Sequence, residues 1–517
     1  MRRFLILLLA VMFIATAFTA LAAETTFSGI YYIRAWSEYN FDKKLEDSTA
    51  LPSHENPQYD GWVDQRFRLT ITHKRSEYLK AVIRIDLVED TWGQQRNLRI
   101  NNSTVGASSP WAYLEFTFPK LGTFTAGKFP QTYGYGLAFS DNGAGTTTLN
   151  GLTGVRWANA WGPVAASLLY AKIADRVTRG SNNSWYNWDA DLYAMNLKVA
   201  PAKNHLIELF GGYMQDNDAN GAGNLGGVLR NSYAWSTLRW LGVGGDYCAD
   251  IGFAGLAYTG KIGDMFDIKF ENSYVLGHAT RHYGPGLFVP VAGANMAPPS
   301  IHVNGWNIYT DLSYYNDLLR VGMVFLMSSG QHHLWVDPVN GPNYSSYDNI
   351  NMNYISQAQF EFNKILVAKG GGINSIYRNS LFGQWSTENL TAAKLYFEIC
   401  PVEKLTLNAS VTWAKWTEDV GQNFAGTRAA LVSSKGAGYP HPAVRYGNYM
   451  YQSWDASDDL GWEVDFGFSY EIMEGLTYKF CAGVLFTGDS WDYEKADGTR
   501  GGWGEIWSIT NVLLYEF

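Results

Sequence analysis

Cysteine is scarce in this 517-residue chain: Cys248, Cys400 and Cys481 are an odd, scattered set. They form neither a disulfide framework nor a metal-ligand spacing. Charge is scarce too, with only 17% Asp, Glu, Lys and Arg. No apolar run of ~18 residues, the length of a membrane-spanning helix, occurs after the N-terminal segment. No Gly-x-Ser-x-Gly, no Gly-x-x-x-x-Gly-Lys-Ser/Thr and no paired nucleophile and base stand out, and the nine His are scattered, His332-His333 included. These absences argue against an enzyme, a cofactor or a metal centre. The net charge of −9 argues against nucleic-acid binding.

Aromatics, by contrast, are abundant: 20 Trp, 33 Tyr and 27 Phe, beside 53 Gly. The N-terminus carries Arg2-Arg3, an apolar run over 4–20 and a small-residue site at Ala20-Leu21-Ala22. That is the pattern of a secretory signal peptide over 1–22, leaving a single mature domain over 23–517.

Period-two alternation recurs through the mature chain, as expected of strands with two different faces. In 77–90, Ala81, Ile83, Ile85 and Leu87 share one face while Lys80, Arg84 and Asp86 share the other. In 459–471, Trp462, Val464, Phe466, Phe468 and Tyr470 alternate with Glu463, Asp465 and Ser469. Residues 475–488 behave alike. Tight turns are expected near Arg75, Lys120–Gly122, Gly162-Pro163, Ala202-Lys203, Gly263-Asp264, Asn316-Asp317, Asn363-Lys364, Val402-Glu403 and Glu474-Gly475. Longer polar connections separate the hairpins. With no helices to cover so many apolar faces, those faces are expected to meet lipid. The fold class is therefore all-β: a transmembrane antiparallel β-barrel of about 20 strands, or 16 to 18, with short periplasmic turns and long extracellular loops. Residues 233–260 are read as one long strand, with two strands as the alternative. Such a protein belongs in the outer membrane of a Gram-negative bacterium, among its lipids.

In 503–517 the odd positions run Trp503, Glu505, Trp507, Ile509, Asn511, Leu513, Tyr515 and Phe517. This resembles the signal on a last strand, with Tyr515 and Phe517 prominent, that the barrel assembly machinery reads. Taken with Trp111-Ala-Tyr-Leu-Glu-Phe-Thr-Phe118, Gly122-Thr-Phe-Thr-Ala-Gly-Lys-Phe129 and Gly154-Val-Arg-Trp157, the whole mature chain resembles a large bacterial porin. It is similar to the homotrimeric porins of sulfate-reducing bacteria and more distantly to alginate-export-type barrels. The resemblance implies a passive diffusion channel for small hydrophilic solutes, and a homotrimer.

Alternation also assigns the lumen. Arg34, Arg66, Arg68, Arg84 and Arg156 are expected to face inward as a basic lane, with Lys128 an uncertain member. Asp267, Glu271, Asp311, Glu361, Glu398, Glu463 and Asp465 are expected on later strands, mixed with Lys269, Arg320, Lys394 and Lys479. Any charge on a barrel strand must avoid lipid, so inward placement by itself is structural. The early clustering of arginines suggests a transverse field across the pore. The Gly-rich connection 134–150 is expected to fold inward and narrow the channel, with Asp141 opposite the arginines. Asp216-Asn-Asp218-Ala-Asn220-Gly221 opens like a calcium loop, but its twelfth position is Gly227, where a bidentate Glu is needed. The competing readings are a dedicated polysaccharide or anionic-solute channel, a barrel enzyme, a plugged siderophore transporter and an adhesin. The polysaccharide channel needs a more continuous Arg/Lys ladder, and the transporter needs a plug of over a hundred residues.

Overall fold

The computed structural model describes residues 23–39, 59–92, 108–141, 151–174, 177–179, 185–187, 189–217, 247–281, 300–330, 336–337, 341–342, 349–350, 390–417, 445–446, 449–450, 458–489, 493–494, 500–501 and 504–517. Its main sheet contains β1 (Glu24–Tyr39), β2 (Tyr59–Ser76), β3 (Leu79–Thr91), β4 (Ser108–Phe118), β5 (Gly122–Phe129) and β6 (Leu152–Trp161). There follow β7 (Val164–Ala174), β8 (Ala190–Ala202), β9 (His205–Asp216), β10 (Tyr247–Ile262), β11 (Phe266–Arg281) and β12 (Ser300–Tyr315). The last six are β13 (Leu319–Ser328), β14 (Leu390–Val402), β15 (Leu405–Trp416), β16 (Asp459–Met473), β17 (Leu476–Thr487) and β18 (Glu505–Glu516). Each pairs antiparallel with the next, and the two-residue segment Asn349–Ile350 adds a short parallel contact to β12.

β1 also pairs with β18, from Ile30↔Glu516 to Tyr39↔Trp507. The sheet is therefore a closed barrel of 18 strands with no free edge. Closure follows from the solvent: in hydrocarbon an unpaired N–H or C=O costs several kcal/mol, and only closure pairs them all. Eight of the nine expected turns join successive strands; the first closes between Ser76 and Leu79, slightly beyond Arg75. The ninth, at Asn363-Lys364, lies outside the described residues. The wall does not require it, because β13 pairs directly with β14. That hairpin is the difference between the 18 strands found and the 20 counted from alternation. The expected strand 233–260 appears as β10 alone, its earlier part lying outside the described residues.

The outward face is apolar and aromatic, with Phe118, Leu168, Met195, Leu276, Met323, Trp462, Phe466 and Phe486 all exposed. Across β7, β8 and β9 the outward Tyr170, Tyr193 and Tyr213 lie side by side in register. The next row toward the long loops is polar: Lys172, Asp191, Gln215, Asp250, His278 and His302 stand in register across β7 to β12. A tyrosine row bordered by a charged row marks a membrane interface. No described helix is long and apolar enough to cross a membrane. The closed barrel with this exterior places the protein in the outer membrane of a Gram-negative bacterium.

Phe517 completes the seam. Its backbone exchanges hydrogen bonds with Gly29, N to O, at 2.9 and 3.1 Å. Its ring stacks on Tyr515 and Phe67, with centroids 5.6 and 6.1 Å apart. A Cβ on Gly29 would stand 2.8 Å from the Phe517 ring and 2.4 Å from the Arg68 carbonyl. Gly29→Val is therefore expected to cost about 1–3 kcal/mol of overpacking and to lower the yield of heat-modifiable barrel. Phe517→Ser is expected to lower it as well. An unchanged folded fraction on a gel-shift assay would show that the seam does not depend on this contact.

Candidate functional site

The inward face of β1 to β3 carries four of the five expected arginines. β1 projects Tyr32, Arg34, Trp36 and Glu38, all buried. β2 projects Asp64, Arg66 and Arg68, and β3 projects Arg84 and Asp86. Register brings acids against bases. Arg34 donates through Nε to Asp64 at 2.7 Å and through Nη2 at 3.1 Å, and the Trp36 indole donates to the same carboxylate at 2.8 Å. Arg68 grips Asp86 bidentately at 2.5 and 2.7 Å. The Arg84 guanidinium lies 3.2 Å from the centroid of the Trp111 ring and donates to Thr70. Arg66 is 1% exposed and lies near the Tyr32 ring. All four face inward as alternation indicates. Yet Asp64 and Asp86 interleave with them, so this wall is a paired network and not a bare cationic strip. Alternation gives a residue's face; the pairing depends on register, which local sequence does not carry.

The remaining wall is paired in the same fashion. Asp311 on β12 accepts from the Tyr396 hydroxyl at 2.9 Å and meets Lys269 at 3.5 Å. Arg320 lies 3.6 Å from Asp267 and 3.9 Å from Glu398. Asp465, with Glu463 beside it on the inward face of β16, accepts from Ser410 at 3.0 Å. Lys394 and Lys479 fall on inward positions too. Lys128, by contrast, pairs with Ala112 and Thr153 on the outward face, because Tyr113, Gly127 and Gly154 take the inward places. Glu361, His332, His333 and Asp218 to Gly227 lie outside the described residues. Asp216 is described; it is buried and faces inward. Among the described residues no group of three or more metal-ligating side chains is assembled.

The connection after β5 turns into the barrel, and its described part is 130–141. Gln131–Thr132 pairs with Ser140–Asp141, making a small hairpin. Its tip lays Tyr133, Leu137, Ala138 and Phe139 on the inner wall of β7 to β12, all at 1% exposure or less. Tyr133 stacks on Phe210 at 5.8 Å and Phe139 on Phe253 at 5.5 Å. Leu192, Met214, Ile251 and Val275 complete this core. Polar anchors lock it. The Gly134 N–H donates to Glu208 at 3.2 Å, and the Tyr135 N–H to Glu271 at 2.5 Å. The Tyr135 hydroxyl donates to the Tyr258 carbonyl at 3.0 Å. Burial pushes that phenol up to about 12, so it remains a neutral donor at physiological pH. Gly134 has φ +54°, and a Cβ there would stand 2.5 Å from Glu271 Oε2, so only glycine allows this approach. Burying Tyr133, Leu137 and Phe139 contributes on the order of 5 kcal/mol, enough to hold the loop against the wall.

By strand order, β10 stands across the barrel from β1. The described part of the loop therefore lies against the wall opposite the arginines of β1–β3. The backbone of Asp141 pairs with Gln131, so it lies in this inserted segment; residues 142–150 are outside the described residues. At the loop's base, Arg156 on β6 donates to Gln131 at 3.1 Å and to Thr125 at 3.3 Å. Below it, toward the short turns, a cavity of about 650 Å³ opens between the loop and β6–β8.

Comparison with solved structures finds other outer-membrane proteins along nearly the full length. OccK11 (OpdR) of Pseudomonas aeruginosa is 11% identical, covers 96% of each chain and has a TM-score of 0.44. OccAB4 of Acinetobacter baumannii is 9% identical, with 96% and 98% covered and a TM-score of 0.43. OmpT of Vibrio cholerae, solved in a trimer form, is 9% identical, with 96% and 100% covered and a TM-score of 0.36. No protein-family model matches the sequence. No curated protein matches it significantly.

Removing both stacked rings, Tyr133→Ala with Phe139→Ala, is expected to cost about 3–5 kcal/mol per ring, which exceeds the docking energy. The loop should leave the wall, single-channel conductance should rise, and the barrel should remain heat-modifiable. Unchanged conductance would mean that the narrowest section lies elsewhere.

Proposed function

We propose that the protein is a porin, a water-filled channel for passive diffusion of small hydrophilic solutes and ions across the outer membrane. The observation that supports this most is a closed 18-strand barrel with a charged inner wall, narrowed from one side by the docked loop 130–141. Barrels of 16–18 strands are wide enough for an aqueous channel, and the loop, docked on one side, reduces that width. The paired inner charges present a hydrated path while neutralising one another, which suits a general channel. Residual imbalance between the arginines of β1–β3 and the carboxylates Asp311, Glu398, Glu463 and Asp465 would supply the transverse field. Residues 1–22 would serve as the export signal, Tyr515 and Phe517 as the mark read by the assembly machinery. The resemblance to homotrimeric porins of sulfate-reducing bacteria supports a trimer as the assembled form.

A dedicated channel for anionic solutes or an acidic polysaccharide is the second reading, favoured by the five inward arginines. Against it, Arg34 and Arg68 are each held by a carboxylate, which breaks the ladder such a polymer needs.

Purified protein in a planar bilayer tests the channel reading. Steps of conductance are expected, and liposomes carrying it should swell in monosaccharides faster than in larger sugars. Arg66→Gln with Arg84→Gln should move the reversal potential in a salt gradient toward cation preference, since two lumenal positive charges are lost. Arg68→Gln should move it the same way, and should also destabilise by about 3–5 kcal/mol because Asp86 is left unpaired. Absence of conductance would overturn the porin reading; an unmoved reversal potential would remove these arginines from the conducting path.

A further inference from the structure

The cavity beneath the docked loop has features that a plain passage does not need. Its wall is scooped out where β6 and β7 place only small side chains inward: Ala158, Ala160, Ala165 and Ser167. Its roof is the base of the loop, at Gln131 and Thr132. Its volume of about 650 Å³ lies within the range of small-molecule sites. It opens beside the short turn at Pro119-Lys120, hence on the periplasmic side of the narrowed section.

Charge in this recess is unbalanced. Arg156 and Lys198 both line it. Lys198 meets Glu208 at 3.3 Å, but that carboxylate also accepts from the Asn196 amide at 2.8 Å and from the Gly134 N–H of the loop. Among the described residues Arg156 has no carboxylate partner: it uses two of its five N–H donors, on Gln131 and Thr125. With Lys120 also on the lining, a net positive charge is left, and the Arg156 guanidinium has donors to spare. Around it stand the Ser167 and Thr132 hydroxyls and the Asn196 amide. The Asn196 side chain is 94% buried by neighbours, and its Oδ1 has no hydrogen-bond partner.

We propose that this recess is a solute-binding subsite for a small polyhydroxylated anion, such as a sugar acid. The proposal rests on the channel reading for access. The solute's carboxylate faces Arg156 and Lys198, where planar donor pairs match planar oxygens. Its hydroxyls exchange hydrogen bonds with Ser167 and Thr132, and its C–H face lies on the alanine floor. The net positive charge selects an anion over a neutral sugar; the concave floor selects a compact solute over a polymer. A solute moving inward would pause here after passing the loop.

Titration calorimetry on the detergent-solubilised protein tests the proposal, with sodium D-gluconate as the probe and D-glucose as its neutral counterpart. Gluconate should bind measurably and at least tenfold more tightly than glucose. Lys198→Gln should weaken gluconate tenfold or more while leaving glucose unchanged. Ser167→Trp, which fills the recess without changing its charge, should abolish binding of both. Lys394→Gln, which removes an inward charge on another part of the wall, should leave gluconate binding unchanged. No gluconate binding by the unaltered protein, or equal binding by Lys198→Gln and Ser167→Trp, overturns the subsite. Single-channel recording separates this from the channel reading. Conductance without gluconate binding leaves the porin and removes the subsite; binding without conductance does the reverse.

Discussion

A strand in hydrocarbon has nowhere to place an unpaired amide, and the rest of this structure depends on that constraint. It requires the sheet to close, so β1 must meet β18. Closure then creates two environments, one on each side of a single layer of backbone. Apolar and aromatic side chains take the lipid side because ionised groups there cost several kcal/mol, and the charges have only the lumen left. Once crowded onto the inner wall, they pair: Arg34 with Asp64, Arg68 with Asp86, Lys269 with Asp311. Short turns on one side and long connections on the other leave room for a segment to enter from the loop side.

That entering segment changes what the inner wall must be. Opposite β8–β12 the lumen is not water but the rings of Tyr133 and Phe139, so Phe210, Ile251, Phe253 and Val275 are apolar although they face inward. The wall is thus divided by composition. One half forms a protein core with the loop, anchored by Glu208 and Glu271; the other half holds the paired arginines of β1–β3. The polar groups of the loop are placed with the same economy, its backbone amides being taken up by wall carboxylates. Where docking ends, below Arg156, the small side chains of β6 and β7 leave space that neither the loop nor the wall fills.

This division explains what could be read from the sequence. Where one face meets lipid and the other water, as in 77–90 and 459–471, alternation identifies the strand and puts Lys80, Arg84, Asp86, Glu463 and Asp465 on one face. Arg34, Arg66, Arg68, Arg84 and Arg156 all lie on the expected side. Where both faces are apolar, alternation disappears. β10 reads Ile251-Gly-Phe-Ala-Gly-Leu-Ala257, with no contrast between its lipid side and its loop-covered side, and its boundaries were accordingly uncertain. The ion pairs were illegible for a different reason: Asp64 and Asp86 reach their arginines through cross-strand register. The anchors of the loop were further removed still, because Glu208 and Glu271 lie 74 and 136 residues beyond the amides they accept.

Those separations set an order of events during folding. Contacts between distant parts of a chain form late, since a long loop must close before they can contribute. The segment 130–141 precedes every strand on which its tip docks, and its farthest contact, Tyr135 on Tyr309, stands on β12. It has no partner until half the sheet has assembled and curved enough to bring that wall within reach. The barrel must therefore pass through a stage in which the wall exists and the inserted segment is undocked, with rings of Tyr133 and Phe139 exposed to water.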